Sequence, residues 1–175
     1  EVASEVYELA PGHGFDGKNE KVYFTLEAKD PLDLPADRLA EELRQRLENS
    51  VGQCAGEGVG AWLSGGLDSS ALAALARPGS SKFHTFAAGF SDAPDLEYAR
   101  LVADFIQSDH HEVTVTSQDL IQVLPEVIYH LESFDALLVR SSLTNYLVAK
   151  AASEYVSAVF SGEGGRARVE LFAIC

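Results

Sequence analysis

The sequence contains no methionine, so it starts past an initiator or is a piece of a longer protein. It has two cysteines, Cys54 and Cys175. Two are too few for a disulfide framework, which points to a reducing cytoplasm. Basic side chains are scarce: 13 Lys and Arg stand against 27 Asp and Glu, for a net charge of −14. No basic stripe is available to neutralise phosphates, which argues against a nucleic-acid partner. The acidic excess reads as a solvated surface. No apolar run approaches the roughly 18 residues needed to cross a bilayer, so no membrane span is expected. The first residues, Glu1-Val2-Ala3-Ser4-Glu5, have neither a basic n-region nor an apolar h-region.

The 175 residues suit one domain with a small appendage, and a hydrophobic content of 46% is enough for a core. Residues 5–9 and 21–26 alternate apolar and polar, with a Gly-rich stretch between them, and predict a hairpin with a long turn. Residues 27–35 read as a linker. Asp33-Leu34-Pro35 opens a helix whose Leu39, Leu43, Leu47 and Val51 share one face, with Gly52 and Gly56 ending it. From residue 58, apolar strands alternate with helical segments. Strands are expected at Val59–Leu63, Phe83–Phe86, around Val113 and Val115, and at Val156–Phe160. Helices are expected over 68–77, from Asp95, from a Ser117 cap with a break at Pro125, and over 141–154. This alternation predicts βαβ units: an α/β fold with an open parallel sheet, helices on both faces and a short N-terminal hairpin.

The most telling string is Ser64-Gly65-Gly66-Leu67-Asp68-Ser69-Ser70, where the first apolar strand turns directly into a helix. Paired glycines let the backbone turn tightly and approach a ligand. Free N–H groups and the dipole at the helix start favour an anion. Three serines add hydroxyl donors. Asp68 opposes a phosphate unless Mg²⁺ lies between them. No Lys follows the glycines, so this is not a Walker A loop. A socket of hydroxyls with a metal-holding Asp suits the pyrophosphate of ATP as leaving group, with chemistry at the α-phosphate. The alternative is an ordinary capped junction, although the whole string is more specific than a glycine pair. Phe160-Ser161-Gly162-Glu163-Gly164-Gly165 repeats the logic at the fourth strand. Ligands of open parallel sheets sit at the carboxyl ends of strands, so both turns could serve one nucleotide, with Glu163 a second acidic group. The run His110-His111-Glu112 is a poor chelator on its own, because adjacent strand residues point to opposite faces.

The string at Ser64–Ser70 resembles the pyrophosphate loop of the PP-loop ATP pyrophosphatases. Phe86-Ala87-Ala88-Gly89-Phe90, Val127-Ile128-Tyr129-His130-Leu131-Glu132 with Asp135, and Ser161-Gly162-Glu163-Gly164-Gly165 narrow the resemblance to the asparagine synthetase family. Pro11-Gly12-His13 resembles the segment where that family's glutaminase domain hands over to its synthetase domain. The resemblance implies a hairpin and linker over residues 1–30, and an adenine nucleotide alpha hydrolase-like ATP-binding domain over 31–175 that is incomplete at its C-terminus.

The same resemblance implies site roles. Leu63, Ala88, Ser161 and Gly162 would border the nucleotide. Ser64, Gly65, Gly66, Ser69 and Ser70 would bind pyrophosphate oxygens, and Asp68 would hold Mg²⁺. Arg140 and Glu163 would lie near the substrate and the metal, completing a catalytic set with Asp68. The implied substrates are aspartate, ATP and ammonia, the last from a glutaminase domain or a separate chain, with self-association left open. Departures accompany it. Arg166 stands where the family carries Asp, no counterpart of the family's C-terminal helices or of its N-terminal glutaminase domain is expected in this stretch, and Leu137-Leu138-Val139 replaces hydroxyl-bearing residues of some members. Two further readings therefore accompany amide ligation of aspartate: a ligase that makes another amide or a lactam, and a nucleotide-binding or oligomerisation module without turnover.

Overall fold

The computed structural model describes residues 7–25, 27 and 32–162. The chain divides into two compact units, Glu1–Ala36 and Asp37–Cys175. In the first, β1 (His13–Phe15) pairs antiparallel with β2 (Glu20–Val22), with His13 opposite Val22 and Phe15 opposite Glu20. The hairpin is shorter than its sequence pattern suggested, and β1 falls inside the stretch read as turn. Asp16 explains the tight closure: its Oδ1 accepts from the backbone N–H of Lys18 at 2.9 Å and of Asn19 at 2.8 Å. Gly12, at φ +75°, lies where a Cβ would strike the Phe24 carbonyl, so only glycine fits there.

The second unit opens with α1 (Ala36–Cys54), which runs through Gly52 and so ends later than the glycine signal implied. Four parallel strands follow in the order β5-β4-β3-β6: β3 (Val59–Trp62), β4 (His84–Gly89), β5 (Asp109–Thr114) and β6 (Ala158–Phe160). Their linking helices are α2 (Leu67–Ala76), α3 (Pro94–Ile106), α4 (Ser117–Leu131) and α5 (Ala136–Ala152). The chain winds outward from β3 through β4 to β5, then returns to place β6 on the other side of β3. The order therefore reverses between β3 and β6, which makes the carboxyl ends of these two strands the place where a ligand crevice forms.

Strand alternation builds two apolar layers. One face of the sheet sends Ala61, Leu63, Ala87 and Phe160 against Leu72, Ala73 and Ala76 of α2 and Leu96, Ala99 and Ala103 of α3. The other sends Trp62, Phe86, Ala88 and Val159 against Val148 and Ala152 of α5. This near-continuous apolar character is what a sheet covered by helices on both sides requires. Helix α4 is capped one residue earlier than expected. Thr116 Oγ1 accepts from Asp119 N–H, while Asp119 Oδ2 accepts from Thr116 N–H at 2.8 Å, forming a reciprocal box. Pro125 lies inside α4 and does not divide it. The proline is exposed, so the carbonyl that loses its N–H partner can turn to water.

Candidate nucleotide site at the sheet's carboxyl edge

Strand β3 continues one residue past its end: Leu63 N–H donates to the Phe86 carbonyl at 2.8 Å. The chain then turns through Ser64, Gly65 and Gly66 into α2. Gly65 adopts φ +74°, and a Cβ there would lie 2.5 Å from Tyr98 Cβ and 2.7 Å from the Ala99 nitrogen. The turn is thus wedged against α3, and glycine is required on both counts. Ser64 and Ser69 close the turn with a hydroxyl–hydroxyl contact of 3.0 Å, and Ser69 Oγ also donates to the Gly66 carbonyl at 3.2 Å.

Gly66 caps α2 without any side-chain hydrogen bond. An α-helix leaves its first N–H groups without intrahelical partners, and these carry the positive end of the dipole. The Ser70 side-chain oxygen is buried without a partner. Such a group costs free energy unless something polar reaches it.

The end of β6 meets the same point. A Cβ on Gly162 would lie 2.8 Å from the Ser69 nitrogen and 3.1 Å from the Asp68 carbonyl carbon. The fourth-strand turn therefore presses on the first turn of α2, and both Ser/Gly turns share one edge. Between them and α5 opens a cavity of about 680 Å³. Its polar lining includes Ser64, Asp68, Ser69, Asp95, Thr144 and Ser161, and its apolar wall includes Trp62, Leu63, Phe86, Ala88, Leu96 and Val148. An apolar wall beside converging polar groups suits a flat base joined to a charged tail.

Of the sequence-predicted residues, Leu63, Ser64, Gly66, Asp68, Ser69, Ala88, Ser161 and Gly162 line this cavity. Gly65 lies in the turn and Ser70 on the first turn of α2, and neither is in the lining. Arg140 lies on α5 outside the lining, four residues before Thr144 and so one turn away on the same helix face. Glu163 and Arg166 lie outside the described residues. Sequence reasoning missed Asp95 and the α5 pair Thr144 and Asn145. The Thr144-Asn145 step is one of two polar steps in this helix, beside Arg140-Ser141-Ser142, and gave no distinct signal.

Among the described residues no Lys or Arg lines the cavity, whereas Asp68 and Asp95 both do. Two carboxylates would repel a polyphosphate. The same oxygen donors, with the serine hydroxyls, are the hard set that Mg²⁺ prefers, so the residues present fit that ion.

A family model for asparagine synthase matches residues 42–167. Asparagine synthetase [glutamine-hydrolyzing] 1 of Saccharomyces cerevisiae is 36% identical over 195 residues, covering 88% of this chain and 34% of that protein. Asparagine synthetase [glutamine-hydrolyzing] of Bos taurus is 46% identical over 114 residues, 61% of this chain and 20% of that protein. The chain thus spans about a third or less of the length of these curated relatives. Among solved structures, an ammonia-dependent NAD synthetase from Campylobacter jejuni is a looser likeness. Its TM-score is 0.46 with 17% sequence identity, over 72% of this chain and 56% of that one.

Proposed function

The chain belongs to the asparagine synthase family, and from that membership we propose that it is the ATP-binding part of an ATP-dependent amide-forming ligase. The observation that carries this reading is the Gly162–Ser69 approach, which sets both Ser/Gly turns on one cavity at the β3/β6 reversal.

In this reading the adenine lies along the apolar wall between Trp62, Phe86 and Ala88. The α2 N-terminus, with Ser64, Ser69 and Ser70, holds the β- and γ-phosphates. Asp68 and Asp95 would hold Mg²⁺, which when bound would supply positive charge beside the leaving pyrophosphate. The side-chain carboxylate of aspartate attacks the α-phosphate, and the bond between the α-phosphorus and its bridging oxygen breaks. Pyrophosphate leaves and β-aspartyl-AMP remains. Ammonia then attacks the β-carbonyl carbon, and AMP departs with the electron pair of the acyl–oxygen bond, giving asparagine after proton loss. The chain's part is to position and to stabilise charge rather than to form bonds itself. Arg140, one turn from Thr144, would face the amino-acid substrate, and Glu163 would add a further acidic group beside Asp68 and Asp95.

Residues 1–30 would form the hand-over from a glutaminase domain or chain that supplies ammonia, and residues 31–175 the synthetase part. No helix among the described residues is long and apolar enough to cross a membrane, and we place the protein in the cytoplasm.

The absence of any Lys or Arg from the described cavity lining favours a second reading, in which this chain binds nucleotide without turning it over. Pyrophosphate release from Mg-ATP with aspartate and ammonia separates the two. Release that requires aspartate supports the ligase. Saturable ATP binding without release supports the binding module. Release driven by another carboxylic acid, with none from aspartate, supports a ligase for a different amide or a lactam.

A further inference from the structure

The amino-terminal edge of the sheet, opposite the cavity, carries a second constellation. His84 is the first residue of β4 and Asp109 the first of β5, and the two are register partners. His111 follows Asp109 by two residues, so all three side chains project from the same sheet face. His110 projects from the other face, where its Nδ1 meets Thr85 Oγ1 at 2.9 Å. The chelating potential of the His110-His111 run therefore lies across the strands, not along them.

The distances converge on one point. His84 Nδ1 lies 2.9 Å from His111 Nε2. Asp109 places Oδ2 3.7 Å from His84 Nδ1 and Oδ1 4.0 Å from His111 Nε2. A tetrahedral Zn²⁺ with bonds of about 2.0–2.2 Å holds neighbouring donor atoms about 3.3 Å apart, which these separations bracket. The rings are also held in place. His111 is clamped between Phe86 at 5.1 Å and Tyr155 at 4.1 Å, centroid to centroid, and Tyr155 also covers His84 at 5.4 Å. His84 is buried, while Asp109 keeps 47% of its side chain exposed and gives an ion a way in.

We propose that His84, Asp109 and His111 form a binding site for a divalent transition-metal ion of the Zn²⁺ class, fastening the starts of β4 and β5, with solvent completing the coordination. Two imidazoles and one carboxylate are a borderline set that suits zinc and its neighbours and disfavours Mg²⁺. Lys82 Nζ, 3.3 Å from Asp109 Oδ2 on an exposed side chain, is the group that a metal would displace.

The test is calorimetric titration of Zn²⁺ alone into the whole chain after chelator treatment, with Mg²⁺ in parallel. Asp109→Asn, His111→Gln and the exposed His130→Gln are compared, with circular dichroism to establish that each is folded. The site predicts one saturable Zn²⁺ equivalent per chain that depends on Asp109 and His111, and no Mg²⁺ binding that depends on either. Asp109→Asn and His111→Gln should each weaken zinc binding by at least about ten-fold, and His130→Gln should leave it unchanged. No saturable zinc binding by the folded wild type would overturn the site. So would equal affinity in the folded Asp109→Asn and His111→Gln chains.

Discussion

The two ends of the four-stranded sheet are made of different chemistry. At the carboxyl end the backbone is prominent: glycine turns, an α2 N-terminus without a side-chain cap, hydroxyls and carboxylates, all hard oxygen and N–H groups beside an open cavity. At the amino end side chains dominate: two imidazoles and a carboxylate locked by register and by stacked rings. One sheet thus offers an end suited to phosphate and Mg²⁺ and an end suited to a softer ion. The difference arises because strand ends that turn into helices expose backbone, whereas strand starts on neighbouring parallel strands bring side chains together in register.

The largest effect should come from Gly65→Ala. Its φ and its packing against Tyr98 and Ala99 both forbid a Cβ. Strain and overpacking together should lower stability by about 3 kcal/mol, read as a drop in denaturant midpoint. An unchanged midpoint would mean that α3 does not wedge this turn.

Gly162→Ala sharpens the contrast between the ends. It pushes the fourth-strand turn away from Ser69 and should weaken Mg-ATP binding about ten-fold, or about 1.4 kcal/mol, while leaving zinc binding as it was. Loss of both would show that the two ends are not independent.

A smaller effect belongs to Arg100, whose guanidinium grips Glu112 with two contacts and ties α3 to β5. The Arg100 side chain is 55% exposed and screened by solvent, so Arg100→Ala should lower the denaturant midpoint only slightly. Arg100 holds the Glu112 carboxyl below its ordinary value of 4.5. The stability from this pair is therefore present above pH 4.5 and is lost as pH falls through the depressed value. Arg100→Ala should flatten that part of the acid denaturation profile, and an identical profile in both proteins would contradict it.

The smallest is Lys82→Ala. Freeing Asp109 from its ammonium partner should tighten zinc binding by at most about five-fold, about 1 kcal/mol for an exposed pair. Weaker zinc binding in that variant would contradict the competition.

The strand–helix alternation from residue 58 onward was legible because short apolar runs of strand length alternate with longer helical stretches, and many junctions carry Gly, Pro or Ser. The Ser64–Ser70 turn was legible as a strand-to-helix junction because it combines glycines, hydroxyls and one carboxylate at a strand end. Pro125 misled because its helix carries it on the solvent side, a fact of tertiary packing. The hairpin misled because the Asp16 turn closes on backbone hydrogen bonds that alternation does not record. Asp95, Thr144 and Asn145 reach the cavity from separate helices, and no local pattern joins them. The His84–Asp109–His111 cluster was equally hidden. His111 was visible beside a neighbour with which it cannot chelate; Asp109 lies two residues away on the same strand, and His84 comes from strand pairing across 27 residues.

The central claim is that the carboxyl end binds Mg-ATP through the Ser64–Ser70 turn. Titration calorimetry of Mg-ATP into the wild type and Asp68→Ala, with GTP as control, tests it most directly. The account predicts saturable ATP binding that Asp68→Ala weakens at least about ten-fold. Absence of saturable binding by the folded wild type, or equal affinity in the folded Asp68→Ala protein, would contradict it.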